Sequence, residues 1–126
     1  MKKSIIKSGQ APMPIGPYSQ ATYQKGTLFV SGQIAINSSS GELVLTSIEE
    51  ETHQVMKNLL AILDAAEMKF DNVVKTTIFV KDLENFGRIN DVYGSYFDAD
   101  PPARETVEVS RLPKDVNVEI SCIAIK

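Results

Sequence analysis

Arg104 follows two prolines, in the run Pro101-Pro102-Ala103-Arg104-Glu105-Thr106. The proline rings fix φ and stiffen the entry to a strand, so the guanidinium starts from a well-held backbone. Its planar fork of donors suits a carboxylate bound by two parallel hydrogen bonds. Strand alternation puts Arg104 on one face with Thr106 and Glu108, opposite Val107 and Val109. With those valines under a helical layer, Arg104 faces the second side of the sheet, where a partly buried charge needs an anionic partner. Taken alone, the pattern favours an ordinary interface salt bridge over a ligand site. Glu119, near the start of a later strand among apolar neighbours, supplies a carboxylate. Its spacing fits a structural partner for a lysine as readily as a base.

The other chemistry-bearing side chains point to inert roles. His53 is the only histidine, set beside Glu49, Glu50 and Glu51 on the side of a helix away from its apolar stripe. A solvated histidine is expected there, although any Ser-His-Asp triad would have to be built on it. Cys122 lies mid-strand among apolar residues, where a thiol behaves as a small hydrophobe. There is no phosphate-binding loop, dinucleotide fingerprint, cysteine pair or histidine cluster, so neither a cofactor nor a metal is expected. A single cysteine excludes an internal disulfide and fits a reducing compartment. The net charge of −3, without a basic patch interleaved with aromatics, argues against nucleic acid as a partner. No apolar run is long enough for a signal peptide core or a membrane span, so a cytoplasmic protein is expected.

The elements that must position these residues are readable from periodicity. The length of 126 residues suits one domain, 1–126. Lys3 to Lys7 reads as a short strand. Ser19 to Gln24 and Thr27 to Ser31 read as two more, turned at Lys25-Gly26. Between them the segment Ala11 to Pro17 holds three of the six prolines and forms a stiff, irregular approach to Tyr18. Asn37-Ser38-Ser39-Ser40-Gly41 reads as a surface loop. Ser47 with Glu50 forms a capping-box signal ahead of a helix that fades near Met68. Its apolar stripe is Ile48, Val55, Met56, Leu59, Ile62, Leu63 and Ala66. Val73 to Lys81 reads as a strand, with Val74, Thr76, Ile78 and Val80 on one face and Val73, Lys75, Thr77, Phe79 and Lys81 on the other. A second helix is expected from about Leu83 to Phe97. Two closing strands follow, Ala103 to Ser110 and Val116 to Ile125, joined through Leu112-Pro113-Lys114-Asp115.

This order predicts an α+β fold, a mixed sheet with two helices on one face. In the last strand Val118, Ile120, Cys122 and Ala124 point one way, while Glu119, Ser121, Ile123 and Ile125 point the other. Both faces carry apolar residues, yet two helices cover only one. The cover expected for the second is another copy of the same chain.

Four blocks of this sequence resemble the YjgF/RidA family. They are Ile15-Gly16-Pro17-Tyr18-Ser19-Gln20, Val30-Ser31-Gly32-Gln33-Ile34, Val74 to Leu83, and the run from Pro102-Ala103-Arg104 through Leu112-Pro113-Lys114-Asp115 to Val118-Glu119-Ile120. They occur in the family's order, without large insertions, across nearly the whole chain. The resemblance implies a chorismate-mutase-like fold and a homotrimer with sites in the clefts between subunits. It also implies 2-iminobutanoate/2-iminopropanoate deaminase activity: reactive enamines and 2-imino acids released by pyridoxal-phosphate enzymes are hydrolysed to 2-keto acids and ammonia. By the same resemblance Arg104 matches the arginine that holds the substrate carboxylate, and Glu119 the carboxylate that positions or activates water. Tyr18, Ser31, Gly32 and Asn90 match positions that shape the pocket. Many deaminases of the family carry cysteine two residues after the arginine, where this chain has Thr106. Thiol chemistry is therefore not expected at that position, whereas hydrolysis needs no covalent intermediate.

The alternative reading is a non-catalytic protein that uses the same cleft to bind small carboxylates, or a regulatory one that docks a partner there. Ribonuclease or translation-inhibitor roles fit poorly with an acidic chain whose one histidine is expected to be solvated.

Overall fold

Lys25 and Gly26 both adopt positive φ, 49° and 85°, as a two-residue hairpin turn with the twist of its flanking strands requires. This turn joins β2 (Ala21–Gln24) to β3 (Thr27–Gln33), and the short β1 (Ser4–Ile6) pairs antiparallel with β2. The structure is a computed structural model that describes residues 2–126. Ser47 caps α1 (Ile48–Ala65), its hydroxyl accepting from the Glu50 N–H at 3.0 Å, and three glutamates occupy the positive first turn. The strand β4 (Val73–Val80) leads through a 3-10 turn at Leu83–Asn85 into α2 (Phe86–Gly94). The strands β5 (Ala103–Glu108) and β6 (Val118–Ile125) close the chain.

The single helix expected over 83–97 is thus a 3-10 turn and a nine-residue helix. Asp82 accepts from the Glu84 N–H and opens the turn, and Ser95 bonds back to the Val92 carbonyl as the helix ends. Residues such as Asp and Ser compete for backbone groups in this way, which shortens helices.

The six strands form one sheet in the order β1-β2-β3-β6-β4-β5. β6 lies between β3 and β4, antiparallel to both, while β4 and β5 run parallel with α2 in the crossover between them. The sheet is mixed, as expected. Both helices lie on one face, burying Val55, Leu59, Ile62 and Ile89 against Ile78, Val80, Ile120 and Cys122. A register shift between Val73 and Lys75 reverses the alternation expected for the start of β4: Val73 is buried and Val74 exposed.

The face expected for Arg104 is corrected by the register of β5. Arg104 pairs with Thr76 and Thr106 with Ile78, and both partners are buried beneath the helices. Arg104 and Thr106 therefore belong to the helix side. Val107, paired with Phe79, is 42% exposed on the opposite face. That second face also carries Phe29 and Ile125, each about half exposed. Among the described residues no helix is long and apolar enough to cross a membrane, and no three or more His, Cys, Asp or Glu side chains gather into a metal-binding group.

Candidate functional site

The bulge in β3 makes room for a carboxylate. Val30 pairs with Cys122 and Gln33 with Ile120, so Ser31 and Gly32 form an extra step opposite β6. Glu119 leans over Gly32: a Cβ built there would overlap Glu119 Oε2 and lie 2.8 Å from its Cδ. Only glycine leaves this space free. Half-buried, with no hydrogen-bond or ion-pair partner among the described residues, Glu119 has its carboxyl pushed above the ordinary range by desolvation.

Glu119 stands in a cleft of about 380 Å³ whose walls include Tyr18, Ser31, Gly32, Ile34, Pro113 and Lys114. Polar side chains pin each of the three segments that form it. Gln20 accepts from the Ser8 N–H at 2.6 Å and donates to the Ser8, Ala11 and Pro12 carbonyls, which fixes the proline-rich approach. Ser31 donates to the Ser19 carbonyl at 2.6 Å and ties Tyr18's loop to the bulge. Asn58 of α1 donates to the Ile34 and Ile36 carbonyls, both at 3.0 Å. Glu51, fully buried on the same helix, accepts from the Asn117 N–H at 2.8 Å and its side-chain amide at 2.7 Å, just before Glu119. The adjoining turn holds Lys114 and Asp115 at φ 55°, steadied by a 2.8 Å ion pair between Lys81 and Asp115. Two non-glycine residues in this region are a local strain of the kind found beside ligand sites.

The second group of candidate residues lies on the other face of the sheet. Arg104 donates through Nη1 to Asn90 Oδ1 at 2.7 Å. Its guanidinium carbon stands 5.4 Å from the Phe86 ring centroid and 5.0 Å from that of Tyr93. Tyr93 is itself fixed by a 2.7 Å hydrogen bond between its hydroxyl and that of Thr76. Thr106, two residues along the same face, has a buried hydroxyl without a hydrogen-bond partner.

Within one chain, then, Tyr18, Ser31, Gly32 and Glu119 come together, and Arg104, Asn90 and Thr106 gather elsewhere. Arg104 is separated from Glu119 by β4 and by the thickness of the sheet. His53 departs from the solvated role expected of it: its Nδ1 lies 2.8 Å from the Tyr96 hydroxyl and the two rings meet edge-on. Cys122 is buried, its thiol pushed up to about 12 by desolvation, in line with the inert role read from its neighbours. Sequence reasoning missed Glu51, Asn58 and Gln20. The first two carried a signal, since both fall within the apolar stripe of α1, where a polar residue must be satisfied by specific partners.

Residues 8–126 match the family described as Endoribonuclease L-PSP. A RutC family protein of Pyrococcus horikoshii is 48% identical over 124 residues, covering 98% of each chain. The 2-iminobutanoate/2-iminopropanoate deaminase of Homo sapiens is 43% identical over 124 residues, 98% of this chain and 90% of that one. Among solved structures, the YjgF gene product of E. coli superposes with a TM-score of 0.94 at 41% identity, over 98% of each chain. The structure of E. coli TdcF with bound serine superposes equally well, at a TM-score of 0.94 and 38% identity, over 98% of each chain.

Proposed function

Because the chain belongs to the Endoribonuclease L-PSP family, which is the YjgF/RidA family, we propose that it hydrolyses 2-imino acids and their enamine tautomers to 2-keto acids and ammonia. The observation that carries this reading is Glu119, an unpartnered carboxylate held above Gly32 in a partly apolar cleft. A raised proton affinity suits a group that must accept a proton and return it near neutral pH.

In the proposed reaction a guanidinium clamps the substrate carboxylate and fixes the adjacent C=N carbon. Water, giving its proton to Glu119, adds to that carbon to form a carbinolamine. The C=N group reacts in its protonated form, so Glu119 can return the water's proton to the nitrogen of the carbinolamine. The C–N bond then breaks, ammonia leaves, and the hydroxyl passes its own proton to Glu119 as the C=O bond forms. Tyr18 walls the pocket, and the Ser31-Gly32 backbone admits close approach. No metal or cofactor is part of this scheme.

The clamp is Arg104, and we place it in the cleft of a neighbouring copy. Its own chain holds it on the wrong face for its own Glu119, near the free edge of β5. The apolar second face, with Phe29, Val107 and Ile125 exposed, is the surface that a second copy would cover. A closed ring of three copies, the assembly implied by the sequence resemblance, would join each Arg104 to the next chain's Glu119. Thr106 and Asn90 would enter the seam with Arg104.

The test is a coupled assay in which threonine dehydratase generates the imine and keto-acid formation is followed. Wild type accelerates it, and Arg104→Ala, remaining folded, loses most of that acceleration. Equal acceleration by both proteins would overturn the arginine assignment. The bound serine of TdcF favours a second reading, a binding protein for small carboxylates. Tight 2-ketobutyrate binding without imine turnover would select it.

A further inference from the structure

The positive charge of Arg104 is held without a carboxylate. Among the described residues its contacts are a neutral amide, Asn90, and two aromatic rings, Phe86 and Tyr93. These three residues occur at spacings of four and then three along α2, which sets them on one face of the helix. The backbones of Phe86 and Tyr93 lie about 10 Å apart along the axis, and the guanidinium carbon reaches both rings, 5.4 Å from one centroid and 5.0 Å from the other. Asn90 takes a donor of Nη1 and orients the fork about that contact. The Nε and Nη2 donors make no hydrogen bond among the described residues.

An ion pair would have held Arg104 as firmly and cancelled its attraction for an anion. Ring faces attract the cation through their quadrupoles and leave its charge in place. The exposed Arg88, by contrast, is locked into a bidentate pair with Glu49.

From this arrangement we propose that Phe86 and Tyr93 are positioning residues: with Asn90 they hold the Arg104 guanidinium uncancelled and aimed, and so set the affinity of the site for a carboxylate. The proposal deepens the functional reading and rests on its use of Arg104 as the carboxylate clamp. Phe86 is the residue to test, because it is 38% exposed and its replacement leaves the core intact. Phe86→Leu keeps an apolar side chain and removes the ring face, whereas Phe86→Tyr keeps the face.

The experiment measures 2-ketobutyrate binding by calorimetry, and KM and kcat in the coupled imine assay, for wild type and both variants. Phe86→Leu is expected to weaken 2-ketobutyrate binding and raise KM by about three- to tenfold with kcat little changed, the pattern of an interaction made equally in ground and transition states. Phe86→Tyr is expected to restore both values. A merely structural role would lower the active fraction, and with it kcat, without moving binding affinity. Phe86→Leu binding 2-ketobutyrate as tightly as wild type would overturn the proposal, as would a wild type that binds no carboxylate. A wild type that binds 2-ketobutyrate but turns over no imine would sink the hydrolase reading alone, and the comparison of the two variants would still decide the role of Phe86.

Discussion

At the scale of single residues, the proposed reaction places its proton transfer on Glu119, whose surroundings set how it responds to pH. Burial raises its proton affinity above that of an ordinary carboxyl, so the folded chain holds this proton more tightly than the unfolded chain does. The resulting stabilisation is present below the ordinary carboxyl range and is lost as pH rises through the raised folded value. Glu119→Gln, which never ionises, should therefore melt at a higher temperature than wild type at neutral pH, with the difference vanishing in acid. The same variant should lose activity by about 10²–10⁴-fold, the range of a general base. In wild type, kcat/KM should fall as pH drops through a midpoint above the usual carboxylate range. Parallel melting scans and pH–rate profiles check both. An unchanged melting difference across pH would show that desolvation does not govern this carboxyl.

At the scale of elements, the cleft depends on polar residues that α1 turns inward. Glu51 receives two hydrogen bonds from Asn117 in a fully buried position. Glu51→Ala strands both donors and should cost about 1–3 kcal/mol per the usual penalty for an unsatisfied buried group, read as a lower denaturant midpoint. A cost within a few tenths of a kcal/mol would mean that water replaces the carboxylate there. Much of this level was readable in advance. The hydrophobic stripe of α1, the cap at Ser47, the turn at Lys25-Gly26 and the inward set Val118, Ile120, Cys122 and Ala124 all follow from local periodicity and hold in the structure. What alternation could not supply was the face of Arg104. That depends on which strand β5 joins and in which register, a long-range pairing no local pattern encodes. The shift at Val73–Lys75 and the bulge at Ser31-Gly32 are also invisible to a strict period of two.

At the scale of the whole molecule, one chain carries two separate groups of candidate residues and an exposed apolar face. Glu119 waits in a cleft on one side of the sheet, and Arg104 stands in an aromatic cradle on the other. Several candidate site residues were identifiable from the sequence resemblance, but their division between faces emerges only from the strand order. In the proposed reaction the two groups meet across a boundary between copies, which complementation tests directly. Arg104→Ala and Glu119→Gln are each purified, then unfolded and refolded together in equal amounts, and imine hydrolysis is measured. Each variant alone should be nearly inactive. In a closed ring where every site takes its arginine from one copy and its glutamate from the next, random mixing leaves about a quarter of the sites intact, and activity should return to about that fraction of wild type. No recovery from a mixture that refolds and assembles would contradict a site shared between copies.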